Sequence, residues 1–475
     1  MTIKRVAGQN LYQQIYTDLR LQILQGDIPA GTALPSYRFM RQKYQVNIST
    51  VEKAYALLEK NGYIERRQGS GCFALPLDNY EFYYTDNVVL DSFENGQTCA
   101  ADIIDFASSA PFLRAAEAEQ LITLINELAA EGPEKLFLYP STRGAPTMIQ
   151  AIRHRLACQG IAVDEESIHI VNGSQQGIDL LRKSLIRKGS VILAEDPSYI
   201  MAVNCFHRAG AQILTVPMES DGPDMEAIRN ILSKTAIDFY YTMPSFHCPT
   251  NVVWSGAKRH ELLSLALKHH FTIIEDDCVG ELYFDGKPRT SFWQEAGSAQ
   301  VIHINSFSKC LAPGMRLGYM LVPERLDRRL VLEKFNADIS APAILQEALA
   351  LYMERGLYDL HLEKLRNLYW GLRSHLAEAV QHSRNLRLVY PENGGGMFLW
   401  VRLPEGIDSS KLWIRLLSQK IKLLPSVVFS RTGNWKNYVR LSYTGCTLEQ
   451  MDEGLSRMDR EIDLMLHEAL PESQA

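Results

Sequence analysis

The chain of 475 residues contains no run of about 18 apolar residues, the length that an α-helix needs to cross a bilayer. We therefore expect no membrane-spanning helix. The first residues, MTIKRVAGQNLYQQIY, contain neither an apolar segment nor a cleavage site, so no secretory signal is predicted. Eight cysteines are scattered along the chain and no two of them form a CxxC pair. This spacing argues against a zinc site and against a disulfide framework, and it favours a reducing cytoplasm.

Positive charge is also missing from one long stretch, because residues 68–113 contain no Lys or Arg. Residues 1–75, by contrast, contain ten Lys and Arg against five Asp and Glu, although the whole chain has a net charge of −6. A basic first segment ahead of an acidic body predicts an anionic partner for that first segment. The length predicts about two or three domains.

Residues 11–75 show the pattern of two helices, a turn, a third helix and a hairpin. Apolar residues recur at helical spacing in LYQQIYTDLRLQIL, and Ser36 is a favourable N-cap for the helix YRFMRQKY. Ser49 and Thr50 lie at the start of the third helix, TVEKAYALLEKNGY. The segment YIERRQGSGCFAL indicates two strands around a tip that contains glycine. This order is typical of a winged helix-turn-helix.

The motifs GDIPAGTALPSYR, VEKAYALLEKNGYI and RRQGSGCF resemble the DNA-binding domain of the GntR family, across nearly all of this segment. The resemblance implies that Arg38 contacts double-stranded DNA. It also implies that Gly69 and Gly71 let the wing approach a groove, while Arg66 and Arg67 supply charge for phosphates. Further candidate contacts on and before the third helix are Asn47, Ser49, Thr50 and Lys53.

The third helix departs from the GntR pattern at two positions. Ile48 stands where the family usually has an arginine, and Glu52 stands where a basic residue is common. Both departures argue against bidentate contacts to guanine from these positions. An alternative is that the winged helix serves dimerisation or protein contacts instead of DNA binding.

Beyond residue 165, short apolar segments alternate with helical segments. This predicts an α/β body with a mixed, mostly parallel sheet that is covered by helices on both faces. Ligands of such sheets bind at the carboxyl ends of the strands, so the residues after each strand are the candidates. Residues 172–175 (NGSQ) follow IHIV, Asp276 ends TIIED, and Lys309 and Arg316 follow VIHINSFS. A helix N-terminus, a carboxylate, a lysine and an arginine at one edge suit pyridoxal 5′-phosphate (PLP).

Residues from about 104 to 470 resemble a fold-type-I, class I/II aminotransferase, most specifically in SFSKCLAPGMRLGY. The resemblance implies that Lys309 forms the Schiff base with PLP and that Asp276 contacts the pyridine nitrogen. Tyr199 would stack on the ring, and Arg440 would bind the α-carboxylate of a substrate or effector. The residues implied at the phosphate are Ser174, Gln175, Ser306 and Arg316, together with Tyr139 from the neighbouring subunit.

The body also departs from its family, around the expected position of the cofactor's phenolic oxygen. Cys278 and Val279 stand where a tyrosine is usual, and Cys248 replaces an asparagine ahead of Pro249. In the family the two missing groups hydrogen-bond that oxygen. We therefore expect weaker catalysis than in an aminotransferase.

A GntR-type winged helix joined to an aminotransferase-like body resembles the MocR subfamily of transcription regulators. The resemblance implies a DNA-binding regulator in the cytoplasm that responds to PLP, or to an amino acid or amine that reacts with it. It further implies a homodimer, head-to-tail, with exchanged front domains. One alternative is an active aminotransferase that is tethered by its front domain, and another is a scaffold that has lost the cofactor.

The charge pattern and the resemblances together divide the chain into three segments. We expect the DNA-binding domain at residues 1–75, an acidic linker at 76–103 and the PLP-binding body at 104–475. Within the body, a large subdomain is expected at about 165–340. A small α+β subdomain would then combine residues 104–164 with 341–475.

Overall fold

The computed structural model describes residues 11–24, 28–60, 63–67, 69–75, 103–111, 115–296, 300–390, 394–430 and 432–469. The chain divides into two compact units. One is formed by residues 1–95 with 417–420, and the other by residues 96–416 with 421–475. The predicted linker lies outside the described residues except for Ile103. Along the described ranges, no helix is long and apolar enough to cross a membrane.

The first unit contains three helices and a hairpin: α1 (Leu11–Leu24), α2 (Tyr37–Tyr44), α3 (Ile48–Lys60), β1 (Ile64–Arg67) and β2 (Gly71–Ala74). Ser36 caps α2 as predicted, because its hydroxyl accepts a hydrogen bond from the backbone N–H of Phe39 at 3.2 Å. The strands β1 and β2 pair antiparallel. The predicted winged helix-turn-helix is confirmed. Its third helix begins at Ile48, ahead of the serine and threonine that were expected to start it.

In the second unit, β3 (Ile104–Asp105) precedes a sheet of eight strands: β4 (Ile168–Val171), β5 (Val191–Asp196), β6 (Gln212–Glu219), β7 (Gly222–Pro223), β8 (Phe239–Thr242), β9 (Thr272–Asp276), β10 (Val301–Ser306) and β11 (Gly318–Leu321). Their order is β4-β11-β10-β9-β8-β5-β6-β7. Only β11 and β7 run against their neighbours. The predicted mixed, mostly parallel sheet is therefore confirmed. Every residue of β9 and β10 is buried, as expected for central parallel strands.

Ten helices of the second unit lie between residues 115 and 382 of the described chain: α4 (Ala115–Glu131), α5 (Pro146–Cys158), α6 (Ser174–Ser184), α7 (Ile200–Arg208), α8 (Met225–Leu232), α9 (Gly256–His269), α10 (Phe292–Ala296), α11 (Glu324–Asp338), α12 (Ala343–Glu354) and α13 (Leu357–His382). Short 3-10 helices cover Pro133–Phe137, Glu165–Ser167, Pro313–Met315 and Ser426–Val428.

The remaining strands and helices are β12 (Arg387–Val389), β13 (Phe398–Arg402), α14 (Ser409–Leu417), β14 (Ile421–Lys422), β15 (Leu424–Pro425), β16 (Tyr438–Ser442) and α15 (Leu448–Ala469). Four of these strands form an antiparallel sheet in the order β12-β13-β16-β15. The early strand β3 pairs in parallel with β14. Next to it, the backbone of Phe106 bonds to Lys422 on one side and to Ser442 on the other. This pairing fixes residues 104–109 beside strands that come more than 300 residues later in the chain.

Candidate functional site

The carboxyl ends of β9 and β10 bring an acid and an amine to the same edge of the large sheet. The two strands pair in parallel, with Asp276 opposite Ile304, and the loop after β10 carries Lys309. The amine of Lys309 donates to the hydroxyl of Ser109 at 2.8 Å and lies 3.2 Å from its carbonyl oxygen. Ser109 follows β3, so the pairing of β3 with β14 supplies the lysine's partner.

The surroundings of Lys309 lower the pKa of its amine. Burial lowers the pKa of the amine, and the guanidinium groups of Arg440 and Arg316 lower it further. A lysine with a depressed pKa has a larger fraction of free amine, which is the nucleophilic form that attacks a carbonyl.

Asp276 is a buried carboxylate that is held by two neighbouring side chains. The hydroxyl of Tyr241, on β8, donates to Oδ2 at 2.9 Å, and the thiol of Cys278 donates to Oδ1 at 2.8 Å. Burial raises the pKa of Asp276, although both hydrogen bonds and the charge of Lys309 oppose that rise. A cationic ring N–H placed against this carboxylate would compensate its buried charge.

The N-terminus of α6 and Arg316 form a site suited to an anion. The guanidinium of Arg316 donates to the carbonyl of Asn172 at 3.0 Å and to the hydroxyl of Ser308 at 3.3 Å. Gly173, with φ of +83°, lies so close that a Cβ there would be 2.7 Å from Nη2 of Arg316. Ser174 opens the helix and Ser306 ends β10. Helix N–H groups, hydroxyls and a guanidinium are the donors that a phosphate requires.

Gln175 and Tyr199 lie against each other at this same edge. The hydroxyl of Tyr199, the residue before α7, donates to Oε1 of Gln175 at 3.3 Å. Burial raises the pKa of Tyr199 and the charge of Asp276 raises it further, so Tyr199 is a neutral hydrogen-bond donor. Tyr199 therefore lies at the same edge of the sheet as Gln175, and its stacking on the PLP ring stays a prediction.

Arg440, on β16, is a buried cation, and one of its N–H groups has no hydrogen-bond partner among the described residues. Its guanidinium donates to the carbonyl of Ala107 at 2.7 Å and lies 3.6 Å from the sulfur of Cys248. The central carbon lies 4.0 Å from the ring centre of Phe398, and Nε is buried without a hydrogen-bond partner among the described residues. Because an unpaired N–H on a buried cation is costly, this arrangement favours an anionic ligand.

The residues that depart from the aminotransferase pattern all lie at this cluster or next to it. Cys248 and Cys278 are buried, and burial raises the pKa of both thiols, so both remain protonated. Val279 is buried as well. Asn251, three residues after Cys248, adopts a φ of +60°, and its amide donates to the carbonyl of Gly395 at 2.9 Å. Asparagine tolerates that left-handed conformation better than most residues.

The chemistry of these groups fits PLP. Lys309 offers an amine, Asp276 a carboxylate, and the start of α6 with Arg316 an anion site. Gly173 leaves room that any other residue would fill. Sequence reasoning missed Tyr241 and Ser109 as partners of Asp276 and Lys309. Tyr241 could have been found, because it lies near the end of the strand beside β9, whereas the segment around Ser109 shows no pattern.

Tyr139 lies apart from these side chains, on an exposed apolar segment. It is 80% exposed, and the preceding Phe137 and Leu138 are 80% and 65% exposed. Three adjacent large side chains facing water are typical of a surface that another chain covers.

In the first unit, the candidate DNA contacts lie on the surface. Arg38, Asn47, Ser49 and Lys53 are exposed, and Thr50 is partly buried. On the hairpin, Arg66 lies 3.7 Å from Glu59, and Arg67 pairs with Glu65. At the tip, Gly69 and Gly71 have φ of +76° and +103° with open space around them. Their left-handed backbone, not crowding, is therefore the reason for glycine.

Comparisons with known proteins match both units. The family model for class I and II aminotransferases matches residues 101–458, and the model for bacterial regulatory proteins of the gntR family matches residues 11–74. The chain is 27% identical to YisV of Bacillus subtilis, named an uncharacterized HTH-type transcriptional regulator, over 94% of each chain. It is 28% identical to a Rhizobium meliloti protein named "Probable rhizopine catabolism regulatory protein MocR", over 96% of this chain and 95% of that one.

Among solved structures, the chain is similar to LysN, an α-aminoadipate aminotransferase from Thermus thermophilus. The TM-score is 0.73 at 29% identity, covering 81% of this chain and 98% of that one. LysN was solved with N-(5′-phosphopyridoxyl)-L-leucine, a PLP–amino acid adduct.

Proposed function

The chain belongs to the class I and II aminotransferase family, in the MocR-type arrangement with a GntR-type domain ahead of it, and we propose that it is a transcription regulator controlled through PLP at Lys309. The observation that carries the proposal is the cluster of Lys309, Asp276 and Arg316 in the same chain as a winged helix. In this proposal, residues 1–75 bind a DNA operator in the cytoplasm and residues 104–475 bind the small molecule.

Each side chain of the cluster has a separate task. When bound, PLP supplies an electrophilic carbonyl and an electron-withdrawing ring. Lys309 provides the amine for that carbonyl, and Asp276 holds a proton on the ring nitrogen. Ser174, Gln175, Ser306 and Arg316 hold the phosphate, and Tyr199 covers the ring. Arg440 orients the carboxylate of an amino acid effector, for which its buried, unpaired Nε is available.

Control of DNA binding requires that PLP or the effector binds two shapes of the protein with different affinity. We propose that the functional form is a homodimer, arranged head-to-tail with exchanged front domains. The exposed segment Phe137–Tyr139 supports a dimer, because a second chain would cover it and would receive Tyr139. Each of the two winged helices would then read one half-site, so a change in their spacing would change operator affinity.

The visible absorbance spectrum tests the cofactor site. Added PLP should produce a band that borohydride fixes, and the covalent label should map to Lys309. Lys309→Ala should lose both the band and the label while keeping the thermal stability of the cofactor-free wild type. A label on another lysine, or a band that survives in Lys309→Ala, would refute this assignment.

A working aminotransferase is the second candidate, because Lys309, Asp276, Arg316 and Arg440 are brought together with no missing member. Against it, Cys248, Cys278 and Val279 replace the groups that donate to the phenolic oxygen in the family. Steady production of a keto acid from an amino donor, over many turnovers, would favour this candidate. A single half-reaction, with one keto acid formed per bound PLP, would not favour this candidate.

A further inference from the structure

We propose that Ile48 and Glu52 on α3 select the base sequence of the DNA. Ile48 packs against the methyl group of a thymine, and Glu52 accepts a hydrogen bond from the N4 amine of a cytosine. This inference rests on the proposed DNA binding by the first unit and adds the identity of two base pairs.

The burial pattern of α3 separates a core face from a surface face. Val51, Ala54, Tyr55 and Leu58 are buried, whereas Ile48, Ser49, Glu52 and Lys53 are exposed. Ile48 and Glu52 are four residues apart, so their side chains are neighbours on the outer face. Four residues of helix rise about 6 Å, which spans about two base-pair steps along a groove. Both side chains can therefore face base edges in one short stretch of DNA.

Ile48 is an apolar side chain in a basic setting. It is 46% exposed, and in the described part of the first unit Phe39, at 55%, is the only other large apolar side chain so exposed. Arg38 and Arg41 on α2 and Lys53 on α3 are exposed near it in sequence and supply the positive charge. Isoleucine has no hydrogen-bonding group, so the one base-edge feature that it can distinguish in the major groove is the thymine methyl.

Glu52 is a carboxylate on the same face. No hydrogen bond or ion pair holds it among the residues that the structure describes, and it is exposed. A free carboxylate is repelled by phosphates, so it lowers non-specific affinity for DNA. A base edge that presents an amine compensates it, and the major groove has two such amines, adenine N6 and cytosine N4. A carboxylate pairs with cytosine N4, because adenine N6 lies beside the acceptor N7, which repels a second acceptor.

The test is selection of bound sequences from a random DNA library by the full chain and by matched variants. The wild type should enrich a motif with a T·A pair and a C·G pair within about two steps. Ile48→Ala should reduce the thymine preference about threefold to tenfold, and Ile48→Arg should replace it by guanine. Glu52→Gln should reduce the cytosine preference about tenfold and tighten non-specific binding.

Matched controls come from the second unit. Leu448 is the first residue of α15 and is 42% exposed, so Leu448→Ala removes a comparable side chain from a comparable position. Glu378→Gln removes an exposed charge from a helix. Both controls should select the wild-type motif.

Two results overturn the inference in different ways. If the wild type enriches a motif and all the α3 variants select that same motif, DNA binding stands and the roles of Ile48 and Glu52 are wrong. If the wild type enriches no sequence and shows no salt-dependent binding, the proposed DNA binding fails, and this inference fails with it.

Discussion

Gly173 is the residue whose replacement tests the anion site most sharply. An alanine Cβ at this position would lie 2.7 Å from Nη2 of Arg316, well inside van der Waals contact. The guanidinium is tied to the Asn172 carbonyl and the Ser308 hydroxyl, so it can move away only by breaking those hydrogen bonds. Gly173→Ala should therefore displace Arg316 from the position in which it binds phosphate.

The magnitude follows from the interaction that is lost. A hydrogen bond to a charged group contributes about 1.5–3 kcal/mol, which corresponds to about 10- to 150-fold in affinity. Gly173 has φ of +83° and ψ of +165°, a backbone conformation that essentially only glycine adopts, so alanine there also costs about 1–3 kcal/mol in stability. Gly189→Ala is the matched control, because Gly189 has φ of +89° and nothing within 4 Å of its Cβ position. Gly189→Ala therefore places a Cβ on a residue of similar positive φ without the clash.

PLP titration followed by visible absorbance measures the affinity, and thermal denaturation without PLP measures the strain. Both variants should lose stability, because alanine rarely adopts a positive φ, and only Gly173→Ala should bind PLP more weakly. Equal PLP affinity in Gly173→Ala, Gly189→Ala and the wild type would refute the placement of the phosphate at Arg316.

Three further predictions concern single side chains. Arg38→Ala should weaken DNA binding by about tenfold at every sequence, as measured by fluorescence anisotropy, because it removes one phosphate contact. Arg440→Met should leave the PLP band intact and weaken the spectral response to amino acids about 10- to 150-fold. Burial would raise the pKa of Asp327, but its hydrogen bonds with His169 and Arg143 outweigh burial and lower that pKa to about 2. A depressed pKa stabilises the fold above the ordinary pKa, and this contribution is lost as pH falls through the folded value. Asp327→Asn should therefore lower the melting temperature at pH 7, and the gap to the wild type should close as pH falls from about 4 to about 2.

The sequence was sufficient where a local pattern determines the structure. Apolar strands that alternate with helices predicted the sheet, and the rule of strand ends placed Asp276 and Lys309 at one edge. Ser36 as a helix cap was predicted for the same reason, since capping depends on a few neighbouring residues.

Partners that come from distant parts of the chain could not be predicted. Ser109 contacts Lys309 across 200 residues of sequence, through the two-residue strand β3, which is too short to show a period. The carbonyl of Ala107 binds Arg440 for the same topological reason. The exposed fraction of an individual side chain also depends on the tertiary structure. The proposed base contact of Ile48 depends on its exposure, and that exposure could be learned only from the structure.

In the proposed function, the state of Lys309 controls DNA binding. The most direct test measures the affinity of the full chain for its selected DNA in three states: without PLP, with PLP, and with PLP plus an amino acid that changes the visible band. At least one step should change the affinity by about fivefold or more, and Lys309→Ala should give one affinity throughout. Equal affinities in all three states of a wild type whose spectrum shows bound PLP would contradict the proposed function.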